Sequence, residues 1–262
     1  MDYGLLLSNL RAEQERIRLD SRHCYWRDGK RRKGVTSAVK VLDAPKLDDW
    51  RVRVQVEGTA RAAFANPPAF GQDEEGYVSL LVDIAAEMYE AQRIADAAKD
   101  IGIAVHSLIE HHIRTMLGEE PERPKVSDEA AFVFAGWPEW AASVGFKPLI
   151  AEARVYHATE DYCGTLDALA VVDGQVTVLD WKPKDAIYPE RRLQLTAYAK
   201  ALESMGWPLP ERAVVAMPQD GGSISMVTLD DDPEETFDSF RACLQLSRWL
   251  SKIRNGGRRA AA

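Results

Sequence analysis

Two aspartates and a lysine are expected at the open end of a hairpin, away from its turn, in the segment YCGTLDALAVVDGQVTVLDWKPK. Asp167 lies near the start of one apolar, β-branched run, Asp180 lies at the end of the next, and Lys182 follows two residues later. The pair Asp173-Gly174 between the runs is typical of a tight turn. Antiparallel pairing through that turn places positions whose numbers sum to about 347 opposite each other. The sequence therefore predicts that Asp167 and Asp180 come together.

Close carboxylates repel each other, so such a pair usually binds a cation or shares a proton. An oxygen-rich site of this kind suits Mg²⁺ or Mn²⁺. Lys182 is expected on the same strand face as Asp180 because side chains alternate along a strand with a period of two. Its ammonium can orient a water molecule and offset charge on a phosphorane-like transition state. The alternative is an ordinary surface salt bridge between Asp180 and Lys182.

Composition restricts the classes of protein to consider. The 262 residues are 46% hydrophobic and 28% charged, which is ordinary for a globular protein. A net charge of −8 argues against a protein that coats nucleic acid, but it is compatible with an enzyme that holds nucleic acid locally beside an acidic metal site. The basic residues are concentrated in the segments RDGKRRK and RNGGRR, with a further pair at Arg191 and Arg192. Solvated loops are the alternative interpretation of such runs.

A cytoplasmic location is expected from the start of the chain and from its cysteines. No apolar run approaches the roughly 18 residues of a membrane span. The start of the sequence lacks the features of a secretory signal. The three cysteines are widely separated and have no spacing suited to zinc or an iron–sulfur cluster, which favours a reducing compartment.

The pattern of apolar residues predicts a mixed α/β core over 76–262 that follows an N-terminal appendage over 1–75. The appendage looks irregular, with a hairpin turned at Asp28-Gly29, a short helix in TSAVKVLDAP that Pro45 stops, and a break over 66–76. The core reads in order as helices over 77–117 (interrupted at Gly102) and around 128–144, strands LIAEARVYHA, CGTLDALAVVD and QVTVLDWK, a helix over 189–205, strands RAVVAMP and SISMVTL, and a closing helix over 233–254.

Three polar residues share one face of the expected helix over 189–205. Gln194 and Tyr198 are neighbours at i and i+4, and Arg191 lies one turn earlier. One interpretation is a strand-binding surface in which Tyr198 stacks on a base. The other is that Tyr198 packs the helix onto the sheet.

The motifs GTLD, VLDWK and QLTAY together resemble the PD-(D/E)XK nuclease superfamily. The resemblance is to its RecB-like branch, which includes phage-encoded exonucleases and the mitochondrial genome-maintenance exonuclease. It covers about residues 100–205, and more loosely the segment from YWRDGKR to LDDW. It implies a restriction-endonuclease-like αβββαβ core with a mixed sheet and additional N-terminal helices. GIAVHSLIE matches the family's histidine-bearing helix through Gly102, His106 and Glu110.

The resemblance implies roles for individual residues. His106, Asp167 and Asp180 resemble the metal ligands, together with the backbone carbonyl of Trp181, and Lys182 resembles the catalytic lysine. Glu152 corresponds to an acidic residue that helps a second metal or orients water.

The resemblance also implies expectations for four further residues: Glu110, Gln194, Tyr198 and Lys184. Glu110 is expected to hold the imidazole of His106. In the family the face that carries Gln194 and Tyr198 looks toward the active site. The family commonly has threonine and then lysine after DWK, whereas this chain has Pro183 and Lys184, so Lys184 is a candidate for the missing phosphate contact.

The expected function is that of a Mg²⁺- or Mn²⁺-dependent DNA exonuclease in phage or bacterial recombination, repair or replication. Its expected partner is DNA that is single-stranded or has free ends. Neither Gly-rich segment matches a helicase nucleotide-binding loop, so any unwinding partner must be a separate chain. A separate recombination or single-strand-binding protein in the bacterial host cell is a candidate partner. The alternatives are a structure-specific endonuclease on the same core and a catalytically silent DNA-binding module.

Overall fold

A computed structural model describes residues 3–42, 45–69, 71–88, 90–182, 187–218 and 220–260, with side chains for all of these except 45–47, 87–88, 90–92 and 255–260. The chain divides into two compact units. The larger unit combines Met1–Leu42 with Ala104–Ala262, and the smaller one is Asp43–Ile103. No helix in these ranges is both long enough and apolar enough to cross a bilayer.

The larger unit contains both helices and strands. In chain order they are α1 (Gly4–Arg16), β1 (Ile17–Leu19), β2 (Tyr25–Arg27), β3 (Lys30–Gly34), α2 (Val35–Val39), α6 (Asp128–Phe134), α7 (Trp137–Ser143), β4 (Lys147–His157), β5 (Tyr162–Val172), β6 (Gln175–Lys182), α8 (Pro189–Ser204), β7 (Glu211–Ala216), β8 (Ser225–Thr228) and α9 (Pro233–Ala260). Helix α5 (Glu90–Met116) begins in the smaller unit and ends in the larger one.

The smaller unit is helical where the structure describes it. Helix α3 (Pro45–Ala65) packs against α4 (Glu74–Met88). The Gln55 side chain donates a hydrogen bond to the Ala85 carbonyl at 3.0 Å. The Tyr77 hydroxyl donates to the carbonyl of Asn66 at 3.0 Å.

The strands of the described residues form one eight-stranded mixed sheet. The order is β1-β2-β3-β5-β6-β7-β8, and β4 pairs with β5 off this path. Strands β4, β5 and β6 are antiparallel to their neighbours in that group, whereas β3 runs parallel to β5 and β7 runs parallel to β6. The predicted α/β class and the αβββαβ order, followed by a further strand and helix, are confirmed.

The hairpin between β5 and β6 has the predicted turn and register. Asp173 and Gly174 both have positive φ, 48° and 83°, as a turn of this handedness requires at its two central positions. Pairing runs from Val172 opposite Gln175 to Ala168 opposite Leu179, so each pair sums to 347. The turn therefore sets the register that brings Asp167 and Asp180, the residues just beyond the last pair, toward each other.

The two strands separate just beyond that point. On one edge of β5, β6 pairs with the second half of the strand, and β3 pairs with only Tyr162 and Cys163. Residues 164–167 therefore have no strand partner on that edge within the described ranges. The polar groups and side chains near Asp167 and Asp180 are thereby available for contacts other than sheet pairing.

Gly164 lies on this open edge. The ring of Tyr198 from α8 comes so close to its backbone that a larger residue would not fit. A Cβ atom at position 164 would lie 2.9 Å from Cδ1 of Tyr198 and closer still to Cε1. The GTLD motif lies inside β5, in the strand that the sequence predicts for CGTLDALAVVD. Glycine is needed there for the close approach of α8 and not for a turn conformation.

The first 75 residues are more regular than the sequence suggests. Helix α1 and helix α3 occupy much of the segment that lacks an obvious apolar period. The hairpin at Asp28-Gly29 is confirmed, since β2 pairs with β3. The break expected over 66–76 is shorter than predicted, because α3 ends at Ala65 and α4 already begins at Glu74. Pro45 is the first residue of α3, a position that suits proline because the first helical N–H needs no partner, so the expectation that it stops a helix is wrong.

Three further expectations also need correction. Gly102 lies inside α5 without interrupting it, because a glycine in a helix costs only about 1 kcal/mol relative to alanine. The compact units do not divide at residue 75, because β3 pairs with β5 and joins the first 42 residues to the sheet. The single helix expected over 128–144 is two short helices, α6 and α7.

We predict that Gly164→Ala destabilises the protein by about 1–3 kcal/mol, because the new methyl group overlaps the Tyr198 ring in a packed region. Denaturant unfolding of the purified variant measures this. Gly102→Ala is the matched control, since nothing lies within 4 Å of a Cβ added there. Equal stability of the two variants would contradict the packing account.

Candidate metal site

Asp167 takes the place of a strand partner at the point where β5 and β6 separate. Its Oδ2 accepts the Trp181 backbone N–H at 3.0 Å, just beyond the last paired residues Ala168 and Leu179. The predicted meeting of the two ends of the hairpin thus occurs through a side chain and a backbone group. This contact fixes the carboxylate beside the strand that carries Asp180.

His106 reaches the same place from α5. Its Nε2 lies 3.0 Å from the Trp181 carbonyl oxygen, and because a carbonyl can only accept, this nitrogen carries the proton in that contact. Its Nδ1 lies 3.6 Å from Oδ2 of Asp167, which is long for a hydrogen bond. The Nδ1 atom of His106 therefore faces a carboxylate oxygen without a normal hydrogen bond to it, and a cation between the two atoms would have one ligand atom on each side.

Glu152 faces this pair from β4. Its neighbours Ala151 and Ala153 pair with Ala168 and Leu166, so Glu152 stands opposite Asp167 across the two strands. Its φ of 49° lies in the left-handed region, a conformation that costs about 1–3 kcal/mol for a residue with a side chain. Such local strain is typical of positions where a side chain is held for function.

Burial raises the pKa of Glu152 to about 8, and the charges of Asp167 and Glu110 add to the increase while Lys182 opposes it. Two carboxyl groups thus oppose each other in a poorly solvated place. The arrangement stabilises positive charge between them.

Asp180 and Lys182 share a strand face, as predicted. The Lys182 ammonium donates to Oδ1 of Asp180 at 2.9 Å. Asp180 is 2% exposed, and its Oδ2 is buried without a partner among the described residues. Burial raises the pKa of Asp180, and Asp167 adds to the increase against the effect of Lys182. A buried carboxylate oxygen without a donor is costly, so this oxygen is a natural cation ligand.

One atom from each of His106, Glu152 and Asp167 forms a set in which all the atoms lie within 4.8 Å of one another. Ligands of one Mg²⁺ ion at 2.0–2.1 Å lie at most about 4.2 Å apart, so small side-chain adjustments would close the set. The three residues, with the free oxygen of Asp180 beside them, fit a divalent cation. The cluster differs from the expected ligand set in that Glu152 is a full member and Asp180 is outside the group of three.

The side chain of Trp181 is held by an aromatic cluster. Its ring meets Trp137 at 6.1 Å and Trp140 at 6.2 Å between centroids, both edge to face. These contacts fix the strand whose carbonyl faces His106. The segment GWPEW carries the signal for this cluster, but sequence alone does not show which strand it packs against.

Glu110 does not contact His106 within the described residues. Its Oε1 accepts from Arg114 Nη1 at 3.5 Å, and the Trp181 carbonyl occupies the role expected for it. Glu110 affects the site through its charge, which raises the pKa of Glu152 after the larger effect of burial.

The polar face of α8 is largely buried. Gln194 donates to the Tyr198 hydroxyl at 3.0 Å, and Arg191 donates to Gln194 Oε1 at 3.1 Å. Tyr198 is 3% exposed and packs in the hydrophobic core, so its ring presents no open face on which a base can stack. The arrangement favours the packing interpretation of Tyr198. Arg191 is half-buried, and its charge lowers the pKa of Asp180 against the larger effect of burial.

Pro183 and Lys184 lie outside the described residues, so the expectation for Lys184 stays a prediction.

No protein-family model matches the chain, and no curated protein matches it. A crystal structure of LHK-Exo in complex with dAMP matches at 14% identity and a TM-score of 0.33, over 60% of this chain and 92% of that one. A crystal structure of SSO0001 matches at 13% identity and a TM-score of 0.31, over 95% of this chain and 87% of that one. Neither likeness is close enough to support an inference about activity.

We predict that the metal-free protein loses thermal stability as the pH rises from about 5 to about 8, and that Glu152→Gln reduces this loss. The folded-state pKa of Glu152 is about 8 against 4.5 for the free side chain, so the folded protein holds this proton more tightly. The stabilisation is complete below pH 4.5 and disappears as the pH passes about 8.

Melting temperatures of both proteins in excess EDTA, taken from pH 5 to 8.5, provide the measurement. The difference between the two curves should change by several degrees across the range. Parallel curves would show that Glu152 is not a protonated carboxyl in the folded protein.

Proposed function

We propose that the chain is a divalent-metal-dependent nuclease that hydrolyses phosphodiester bonds of DNA. The observation that carries the proposal is the buried Asp180 carboxylate, which has one oxygen on the Lys182 ammonium at 2.9 Å and the other without a partner. Beside it stands the cluster of His106, Glu152 and Asp167. A lone cation-binding site would not need a lysine, and a structural salt bridge would not need the cluster.

The preferred ion follows from the donor atoms. Carboxylate oxygens, a backbone carbonyl and one imidazole suit Mg²⁺ or Mn²⁺, and the absence of a cysteine among these residues disfavours softer ions. When bound, such an ion would polarise the scissile phosphate and stabilise the negative charge that develops on it.

Lys182 has a separate task. Its side chain is 19% exposed and its ammonium is already held by Asp180, so it is fixed in position at the edge of the site. From there it can donate a hydrogen bond to the attacking water and align that water with the phosphorus atom. Asp180 orients the lysine side chain through this contact, while its second oxygen remains available to a cation.

The substrate, and the requirement for a free DNA end, are proposed from the sequence motifs. The motifs GTLD, VLDWK and QLTAY resemble those of RecB-like exonucleases, and this resemblance supports DNA with a free end, single-stranded or at a duplex terminus. Recombination, repair or replication in a bacterial or phage setting follows from the same resemblance. A structure-specific endonuclease is the second candidate, because the core alone does not determine whether an end is required.

We predict that Asp180→Ala removes both metal binding and turnover, whereas Lys182→Ala removes turnover and leaves metal affinity within about threefold of wild type. The reason is that Asp180 supplies a ligand oxygen and Lys182 supplies only the water-orienting charge. Calorimetric titration with Mn²⁺ and digestion of a labelled oligonucleotide measure the two properties. Lys125→Ala, at an exposed lysine away from the site, is the control. Equal loss of metal affinity in the Asp180 and Lys182 variants would show that the roles are wrongly divided.

We predict that the protein degrades linear single-stranded DNA and spares the circular form of the same sequence. The expectation is that a strand enters from its end past the basic hairpin of β2 and β3. Both substrates are incubated with Mg²⁺ or Mn²⁺, and products are followed on a denaturing gel. Comparable rates on the circle and the line would favour the endonuclease.

A further inference from the structure

A cleft of about 380 Å³ in the larger unit collects positive charge. It lies between the β2–β3 hairpin and α9, and we call it the basic cleft. Its charged lining consists of five cations and one carboxylate: Arg22, Arg31, Arg32, Lys33, Arg248 and Asp161. The formal charge of these six side chains is +4, from five positive charges and one negative charge, in a chain whose net charge is −8.

Lys33 shows that these charges are not neutralised within the cleft. Its ammonium contacts Ser251 Oγ at 3.1 Å and the Ser247 carbonyl at 3.4 Å, and neither partner carries a charge. Burial lowers the pKa of Lys33, and the charges of Arg31, Arg248 and Arg254 lower it further. The described residues therefore surround this amine with repulsive charge.

Asp161, the one carboxylate among the described lining residues, is already engaged. Asp161 Oδ2 accepts from Arg32 at 3.0 Å, and its Oδ1 accepts from the Tyr156 hydroxyl at 2.7 Å. Arg31 is directed to the sulfur of Cys24 at 2.9 Å, and Arg248 donates to two backbone carbonyls. Arg32 Nε is buried without a partner in the described part of the chain. Donors thus exceed acceptors throughout the cleft.

Unbalanced cations held close together destabilise the fold unless an anion joins them. The chain has 41 acidic residues, yet Asp161 is the one carboxylate among the described residues that line the cleft. A second carboxylate there would reduce the repulsion among the cations. A cleft of this volume, with several guanidinium groups and an ammonium around it, suits phosphate oxygens, which guanidinium groups bind in bidentate fashion.

The position of the basic cleft relates it to the metal site. Lys33 pairs with Tyr162, five residues before Asp167 on β5, which is about 16 Å along the strand. That distance corresponds to about five stacked nucleotides at roughly 3.4 Å each, and to fewer in an extended strand. Tyr25 lines the cleft, and its hydroxyl is hydrogen-bonded at 2.9 Å to Thr165, two residues before Asp167 on β5.

We propose that the basic cleft binds backbone phosphates of a nucleic-acid strand several nucleotides away from the bond that is cut. The proposal rests on the proposed nuclease function for the identity of the strand. In this proposal the β2–β3 hairpin and α9 hold the strand, and the carboxylates of the metal site carry out the hydrolysis.

The salt dependence of DNA binding tests this directly. Binding of a fluorescent 20-nucleotide oligothymidylate is measured in EDTA, where no turnover occurs, over a range of NaCl concentrations. Arg31→Gln/Lys33→Gln should lower the magnitude of the slope of log Kd against log salt by about 1.4, since each phosphate contact on a single strand contributes about 0.7. Arg123→Gln/Lys125→Gln removes the same charges at exposed positions outside the cleft and should leave the slope unchanged.

Two other arms assign the outcome. If Arg31→Gln/Lys33→Gln melts below the assay temperature, Arg22→Gln/Arg31→Gln is used, because both arginines are exposed. Inorganic phosphate at constant ionic strength tests for a site that holds free phosphate. Competition by millimolar phosphate with an unchanged DNA slope in the cleft variant would overturn the proposal, and so would equal slopes in the cleft and control variants.

The nuclease proposal fails by a different result. A wild-type protein that cuts no DNA with Mg²⁺ or Mn²⁺, yet shows the cleft-dependent slope, would remove the activity and keep the binding site. Normal DNA cutting, with equal salt slopes in the cleft and control variants, would keep the nuclease activity and remove the binding site.

Discussion

Mutual repulsion among one buried and two half-buried carboxyl groups is the constraint on which the rest of the site depends. Glu152 and Asp167 face each other across β4 and β5, and Asp180 lies beside them with one oxygen unpaired. Lys182 supplies only one positive charge to this group, and it is committed to Asp180. The fold tolerates the cluster because two strands separate at that point and leave room for a cation. His106 and the Trp181 carbonyl complete a set of donors around the space.

The sheet determines this geometry through one turn. Because Asp173-Gly174 requires positive φ at both positions, it sets the hairpin register, and the register brings the end of β6 to the start of β5. These features depend on local chemistry and on a period of two, so the sequence was sufficient to predict them. The pairing of Lys182 with Asp180 follows from the same alternation.

Other parts of the site depend on contacts between elements that are distant in the chain. The left-handed backbone of Glu152 has no sequence signal, since glutamate is not a residue that favours that conformation. The burial of Tyr198 depends on Gly164, thirty-four positions earlier, and on how α8 lies over the sheet. A face at i and i+4 looks the same in sequence whether it meets a substrate or a strand. Helix α1 was missed because its apolar residues do not form a sustained stripe.

Charge is distributed so that binding and chemistry can occupy different places. An acidic chain would repel nucleic acid if its charges were uniform. Here the carboxylates are gathered where a cation can neutralise them, and cations are gathered between the β2–β3 hairpin and α9. The parallel pairing of β3 with β5 joins the two regions through a single strand. This arrangement accounts for an N-terminal segment that is built into the sheet.

The most direct test of the account is the position of a bound metal ion. A crystal of the protein soaked in Mn²⁺ should show an anomalous peak between His106, Glu152 and Asp167, at about 2.0–2.2 Å from a carboxylate oxygen and within reach of Oδ2 of Asp180. A well-ordered site with no peak at saturating Mn²⁺, or with Lys182 occupying the space between the carboxylates, would contradict it.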